Sequence, residues 1–170
     1  MKCFLDMDGV LVDFVRGASE YYNLKLLPYP YIEEWNFIQF SGMTESDFWL
    51  PLGREFWANL HWTPDGNNIL SLIESHFDKK DICLSSIPCM NSESSTGKID
   101  WINKNLPEYK NRYLLGPDKR FYTSINTVLI DDNERNINNC KGHGILVPRP
   151  WNYMYATNTL EYIKERLNDL

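Results

Sequence analysis

Cys3-Phe4-Leu5-Asp6-Met7-Asp8-Gly9-Val10, near the start of the chain, decides how the rest is read. Three apolar residues run into two acids spaced by one residue, and a glycine follows. A short apolar run bounded by a turn signal predicts a buried strand that ends in a tight loop. Leu11 through Tyr22 then predicts a helix. The same alternation returns after residue 62. Thr63-Pro64-Asp65-Gly66 signals a turn and a helix start, and Ile69, Leu70, Leu72, Ile73 and Phe77 follow at helical spacing. Asp81-Ile82-Cys83-Leu84-Ser85 predicts the next strand, and Ile99, Ile102 and Leu106 mark the next helix. Tyr113-Leu114-Leu115 is a short strand, and Thr127-Val128-Leu129-Ile130 is a continuous apolar run of the kind buried parallel strands show. Asn133 to Cys140 predicts a short helix and Gly144 to Val147 a last strand. The closing amphipathic helix runs through Leu160, Ile163 and Leu167, with Asn158 and Glu161 as its capping signal. Strands alternating with helices predict an α/β fold of three layers, a Rossmann-like parallel sheet covered on both faces.

The stretch from about Leu24 to Leu60 breaks this rhythm. It holds Pro28, Pro30, Pro51 and many aromatics, with helical patches such as Glu45 to Leu50. So much Trp and Phe in so long a connection must pack on something. The expected organisation is a core of residues 1–14 and 63–170 and a small, mainly helical cap inserted at 15–62.

Composition narrows the function. The chain has 170 residues, 43% of them hydrophobic, which suits one compact domain with an insertion. Its formal net charge of −6 disfavours long nucleic acid as a partner, because that role needs a basic face. No apolar run approaches the length of a membrane span, and no secretory signal precedes Asp6. Cys3, Cys83, Cys89 and Cys140 form neither a disulfide framework nor a zinc spacing, so free thiols in the cytoplasm are expected.

The chemistry lies at the strand ends, where ligands bind in open parallel sheets. The first strand ends in Asp6-Met7-Asp8-Gly9, the second in Ser85-Ser86, and the fourth in Asp131-Asp132, while Lys98 opens the helical region after the second. Carboxylates brought together repel unless a cation neutralises them. Oxygen ligands without histidine suit a hard ion, Mg²⁺ foremost. The hydroxyls of Ser85 and Ser86, the loop amides near Gly9 and the Lys98 ammonium offer a cradle for phosphate oxygens. Such a set suits phosphoryl transfer, with one carboxylate as nucleophile and another moving protons.

Asp6-Met7-Asp8-Gly9-Val10 resembles the first motif of the haloacid dehalogenase-like phosphatases, the run ending at Ser85 their second, Lys98 their third and Ile130-Asp131-Asp132 their fourth. Within that superfamily, Asp6 to Phe14, Ile82 to Ser86, Lys98-Ile99-Asp100-Trp101 and Asp118-Lys119 are similar to the 5′(3′)-deoxyribonucleotidases. Ser85 replaces a frequent threonine, Asn133 a frequent arginine, and Gly116-Pro117 a familiar Thr-Arg. The resemblance implies Asp6 as nucleophile and metal ligand, Asp8 as general acid/base and ligand through its carbonyl, and Asp131 as third ligand with Asp132 in support. It implies Ser85, Ser86 and Lys98 on the phosphate, Lys98 also neutralising the nucleophile, and Phe14 and Trp35 shaping a pocket for sugar and base. The implied activity is Mg²⁺-dependent hydrolysis of a phosphate monoester, with a small phosphorylated substrate such as a deoxyribonucleoside monophosphate. Sugar phosphates, nucleic-acid 3′ ends or a catalytically silent binding role on the same scaffold stand as alternatives.

Overall fold

The computed structural model describes residues 1–25, 38, 41–116 and 118–170. Trp35 lies outside them. Five strands, β1 (Lys2–Asp6), β2 (Ile82–Ser86), β3 (Tyr113–Leu115), β4 (Thr127–Asp131) and β5 (His143–Leu146), form one all-parallel sheet in the order β3-β2-β1-β4-β5. The described helices of one turn or more are α1 (Phe14–Tyr21), α2 (Glu45–Trp49), α3 (Arg54–Ala58), α4 (Gly66–His76), α5 (Glu93–Asn105), α6 (Glu134–Asn138) and α7 (Thr159–Asn168). The order steps outward from β1 to β2 and β3, then from β4 to β5 on the other side. Crossovers between parallel strands are right-handed as a rule, so stepping in opposite directions from the centre puts helices on both faces, the three-layer α/β arrangement the alternation predicts.

Topology places the acids. β1 is central, with Asp6 beside Ser85 of β2 and Leu5 beside Ile130 of β4, so the carboxyl ends of three strands line up. Every residue of β4 is buried, as its unbroken apolar run requires.

Local signals explain where the helices begin. The final helix carries the cap the sequence announces, with the Asn158 side chain accepting from the Glu161 N–H at 3.3 Å. The first helix starts at Phe14, not Leu11, because the preceding apolar residues are spent on a loop. The N–H groups of Val10, Leu11 and Val12 all point to the Met7 carbonyl, at 3.3, 2.8 and 2.8 Å, and Asp13 caps the helix through the Arg16 N–H at 3.1 Å. Asn133 likewise leaves α6 to become its cap, accepting from the Arg135 N–H at 2.9 Å. Residues 41–62, within the stretch expected to be a cap, carry α2 and α3.

α3 lies directly against α5, and Gly97 makes this possible. A Cβ there would come within 2.5 Å of the Arg54 carbonyl oxygen and 2.6 Å of the Trp57 Cβ. Gly97→Ala gains about 1 kcal/mol of helix propensity but meets backbone, and overpacking costs about 1–3 kcal/mol. The clash is expected to win, lowering the thermal midpoint by about 2–8 °C for a chain of this size. A raised midpoint in that variant would contradict the close contact.

Candidate active site

Asp6 and Asp131 close β1 and β4, and Asp132 follows Asp131; all three are buried, with carboxylate oxygens within 4.8 Å of one another. One cation enters the cluster. Lys119, in the short 3-10 turn Lys119–Phe121 that follows β3, contacts Asp6 Oδ1 and lies 2.6 Å from Asp131 Oδ2. Asp131 also accepts from the Asn133 N–H at 2.8 Å and from Asn136 Nδ2 at 3.0 Å. Asp132 accepts from the Trp151 indole N–H at 2.6 Å.

One ammonium against three carboxylates leaves the cluster short of positive charge. Burial pushes the Asp6 carboxyl well above its ordinary range; Lys119 pulls it back, while Asp131, Asp132 and Asp8 push it further up. Asp132 is pushed up to about 7 by burial and by repulsion from Asp131, against a smaller pull from Trp151. Burial works against the Lys119 charge, but Asp131 and Asp6 outweigh it and hold the ammonium above its usual range. A hard cation fits this donor set: all ligands are oxygens, they converge, and the excess negative charge needs compensation. Asp8 adds a buried Oδ1 with no hydrogen-bond partner.

Asp8 belongs to a second group beside the first. Its Oδ2 accepts from Ser86 Oγ at 2.7 Å and from Lys98 Nζ at 2.6 Å, and Lys98 also reaches Ser86 Oγ at 2.7 Å and the Ile87 carbonyl at 3.2 Å. Lys98 therefore meets Asp8, and the lysine at Asp6 is Lys119. Sequence reasoning noted Lys119 only as half of the Asp118-Lys119 pattern and gave the neutralising task to Lys98. Ser85 is fully buried beside the Tyr122 hydroxyl. The Gly9 amide is not an available phosphate donor, because it donates to the Val12 carbonyl at 2.8 Å. Gly9 matters for shape instead: its φ is +79°, and a Cβ there would come within 2.2 Å of Asp132 Oδ2.

Both groups open into a cavity of about 320 Å³ that Asp6, Asp8, Lys98, Lys119, Asp131 and Asp132 line on one side. Phe14, Trp49, Trp57, Ile87, Pro88 and Met90 supply an apolar side. Phe14 lines the cavity, stacked on Trp49 at 5.5 Å and on Trp57 at 5.3 Å between ring centroids. Trp57 has a further neighbour, the Lys98 ammonium, 4.5 Å from its ring centre. Trp49 and Trp57 come from α2 and α3.

The raised acids fix the sign of a pH effect in metal-free protein. Between the ordinary 3.8 and about 7, folded Asp132 holds a proton that the unfolded chain has released, and Asp6 is shifted the same way. Stability then falls as pH rises through that window. With a chelator present, the thermal midpoint is expected to drop steadily from about pH 5 to about pH 7.5, and excess Mg²⁺ to remove most of the drop by replacing protons as the counter-charge. A midpoint that rises with pH in chelator would contradict this electrostatic reading.

Comparison with curated proteins returns no match. A family model described as 5′ nucleotidase, deoxy (pyrimidine), cytosolic type C protein matches residues 1–161. That span takes in both acid-bearing strand ends, Lys98, Lys119 and the aromatic wall. The chain belongs to this family of 5′-nucleotidases, hydrolases of phosphate monoesters with a haloacid dehalogenase-like core.

Proposed function

We propose that the protein is a Mg²⁺-dependent phosphatase of deoxyribonucleoside monophosphates that works through an aspartyl-phosphate on Asp6. The observation that carries this reading is the pairing of two groups at one cavity. Asp6, Asp131 and Asp132 with Lys119 form the charged floor, and Asp8, Ser86 and Lys98 stand beside it.

In the first half-reaction an Asp6 carboxylate oxygen attacks phosphorus and the ester P–O bond breaks. The substrate phosphate takes over the Ser86 and Lys98 contacts, and Asp8, as a carboxylic acid, gives its proton to the departing alkoxide. In the second, Asp8 as carboxylate takes a proton from water, which attacks the phosphorus and breaks its bond to Asp6. Lys119, against Asp6 and Asp131, keeps the nucleophile oriented and its charge tolerable. Asp6 and Asp131, the Asp8 carbonyl and the adjacent Asp132 are the groups that would hold Mg²⁺, which supplies positive charge to the phosphate oxygens.

The aromatic side of the cavity reads the leaving group. Phosphate contacts are common to every substrate, so discrimination falls to Phe14 and to residues 15–62, which we read as a cap over the core. Trp49 and Trp57 offer faces for a base, and stacking contributes about 1–3 kcal/mol by analogy with single-strand binding. Phe14, fixed between them, presents an apolar ring that offers a 2′-hydroxyl no hydrogen bond, which disfavours a hydroxyl packed against it. The family's description, with its deoxy and pyrimidine terms, supports the same substrate class. The four free cysteines and the absence, among the described residues, of a helix long and apolar enough to cross a membrane agree with a cytosolic setting.

A panel of phosphate esters assayed with and without Mg²⁺ tests the reading. Chelation is expected to stop turnover and Mg²⁺ to restore it. The kcat/KM for deoxyribonucleoside monophosphates should exceed that for the matching ribonucleotides, and Phe14→Ala should narrow the gap while sparing a small generic ester. Sugar phosphates cleaved far better than any nucleotide would overturn the substrate assignment, and full activity after exhaustive chelation the metal assignment.

A further inference from the structure

Arg149-Pro150-Trp151-Asn152, after β5, stands at the strand-end side of the sheet, yet it contributes nothing to the cavity lining described above. Its side chains turn the other way, onto the backs of the two acid-bearing loops. The segment is a turn closed by the Asn152 N–H on the Arg149 carbonyl at 3.1 Å, with Pro150 at its second position. All of Arg149, Trp151 and Asn152 are buried.

Each of the three makes a directional contact with a loop that carries an acid. Arg149 donates from Nε to the Gly9 carbonyl at 2.5 Å and from Nη2 to the Val10 carbonyl at 3.2 Å. The same guanidinium forms a two-pronged pair with Asp65 at the start of α4, both contacts at 2.8 Å. Trp151 donates its indole N–H to Asp132 Oδ2 at 2.6 Å, and its ring lies 3.1 Å from where a Gly9 Cβ would stand. Asn152 donates to the Asp132 carbonyl at 2.9 Å and to the Val147 carbonyl at 2.8 Å. The turn thus touches the loop after Asp6 and the loop at Asp132 at once.

We propose that this turn is the positioning element of the metal site, holding the Gly9–Val10 loop and the Asp132 carboxylate at a fixed separation so that the acidic cluster is formed before the ion arrives. The proposal rests on the metal reading given under Proposed function. Carboxylates that repel one another spread apart unless something outside the cluster restrains them, and Trp151 restrains one by a hydrogen bond and the opposing loop by contact. Groups that orient ligands in this way typically govern metal affinity without touching the ion. Neither Trp151 nor Arg149 lines the cavity, so neither has a task in holding the leaving group.

Trp151→Phe keeps a ring against Gly9 and deletes the indole N–H. Arg149→Lys keeps a charge near Asp65 but cannot hold both carbonyls and both Asp65 oxygens. Mg²⁺ binding is measured by calorimetry on substrate-free protein, beside wild type, with a thermal melt to establish that each variant is folded. The expected result is Mg²⁺ affinity reduced about 10-fold or more in each folded variant, in line with losses at ligand-orienting positions. The Mg²⁺ concentration for half-maximal rate should rise in parallel, with KM for the substrate at saturating Mg²⁺ unchanged. A turn that merely stabilised the fold would lower the melting temperature and leave the ion's affinity in the folded protein as it was. Wild-type affinity in either folded variant overturns the proposal, and if one variant does not fold the other decides. No binding by wild type itself would remove the metal reading and this proposal together, which distinguishes the two failures.

Discussion

Three buried carboxylates share one ammonium, and much else in the molecule answers to that imbalance. At an effective dielectric of about 20, two unit charges some 5 Å apart repel by about 3 kcal/mol. Several such pairs approach the whole stability of a domain this size. Lys119 relieves part of the load, since it meets Asp6 and Asp131 together. Burial and mutual repulsion push Asp6 and Asp132 upward, so protons favour the cluster wherever no other cation is bound. A site that holds surplus negative charge is primed for a cation, and a cation with open positions is primed for phosphate.

The sheet makes the crowding unavoidable. With β1 between β2 and β4, the last residues of three parallel strands meet whether or not their charges agree. The loop after β1 is drawn tight by three N–H groups on the Met7 carbonyl, and Gly9 takes a left-handed conformation where a side chain would strike Asp132. Asp8, two residues beyond the end of β1, finds Ser86 and Lys98 instead. Two residues of one short motif therefore enter different electrostatic surroundings, as the nucleophile and proton carrier proposed above would require.

Most of this was legible where the information is local. The apolar runs of β1, β2, β4 and β5, the Asp6-x-Asp8 spacing, the Asp131-Asp132 pair and the Asn158 cap each lie within a few residues. Lys119 was not legible in the same way. Its meaning comes from a turn after β3 that carries it to Asp6, a residue 113 positions away in sequence, while Lys98 looked equally apt by motif order. The start of α1 was missed because Val10, Leu11 and Val12 suit a helix by hydropathy yet are committed to the loop. The task of Arg149, Trp151 and Asn152 was not legible, because a strand-end position does not reveal which way a side chain turns. Of the aromatic wall, Phe14 was named from its motif, while Trp49 was foreseeable only as part of an excess of Trp and Phe, since its stacking on Phe14 is set by tertiary packing.

The claim on which the account turns is that Asp6 carries the phosphoryl group. Enzyme mixed with excess substrate and Mg²⁺, quenched during turnover and treated with borohydride, would have an acyl-phosphate reduced to the alcohol, and peptide mass mapping locates the change. The account predicts homoserine at position 6, dependent on substrate and absent from Asp6→Asn. Rapid turnover with Asp6 unreduced, or reduction confined to Asp8, would contradict it.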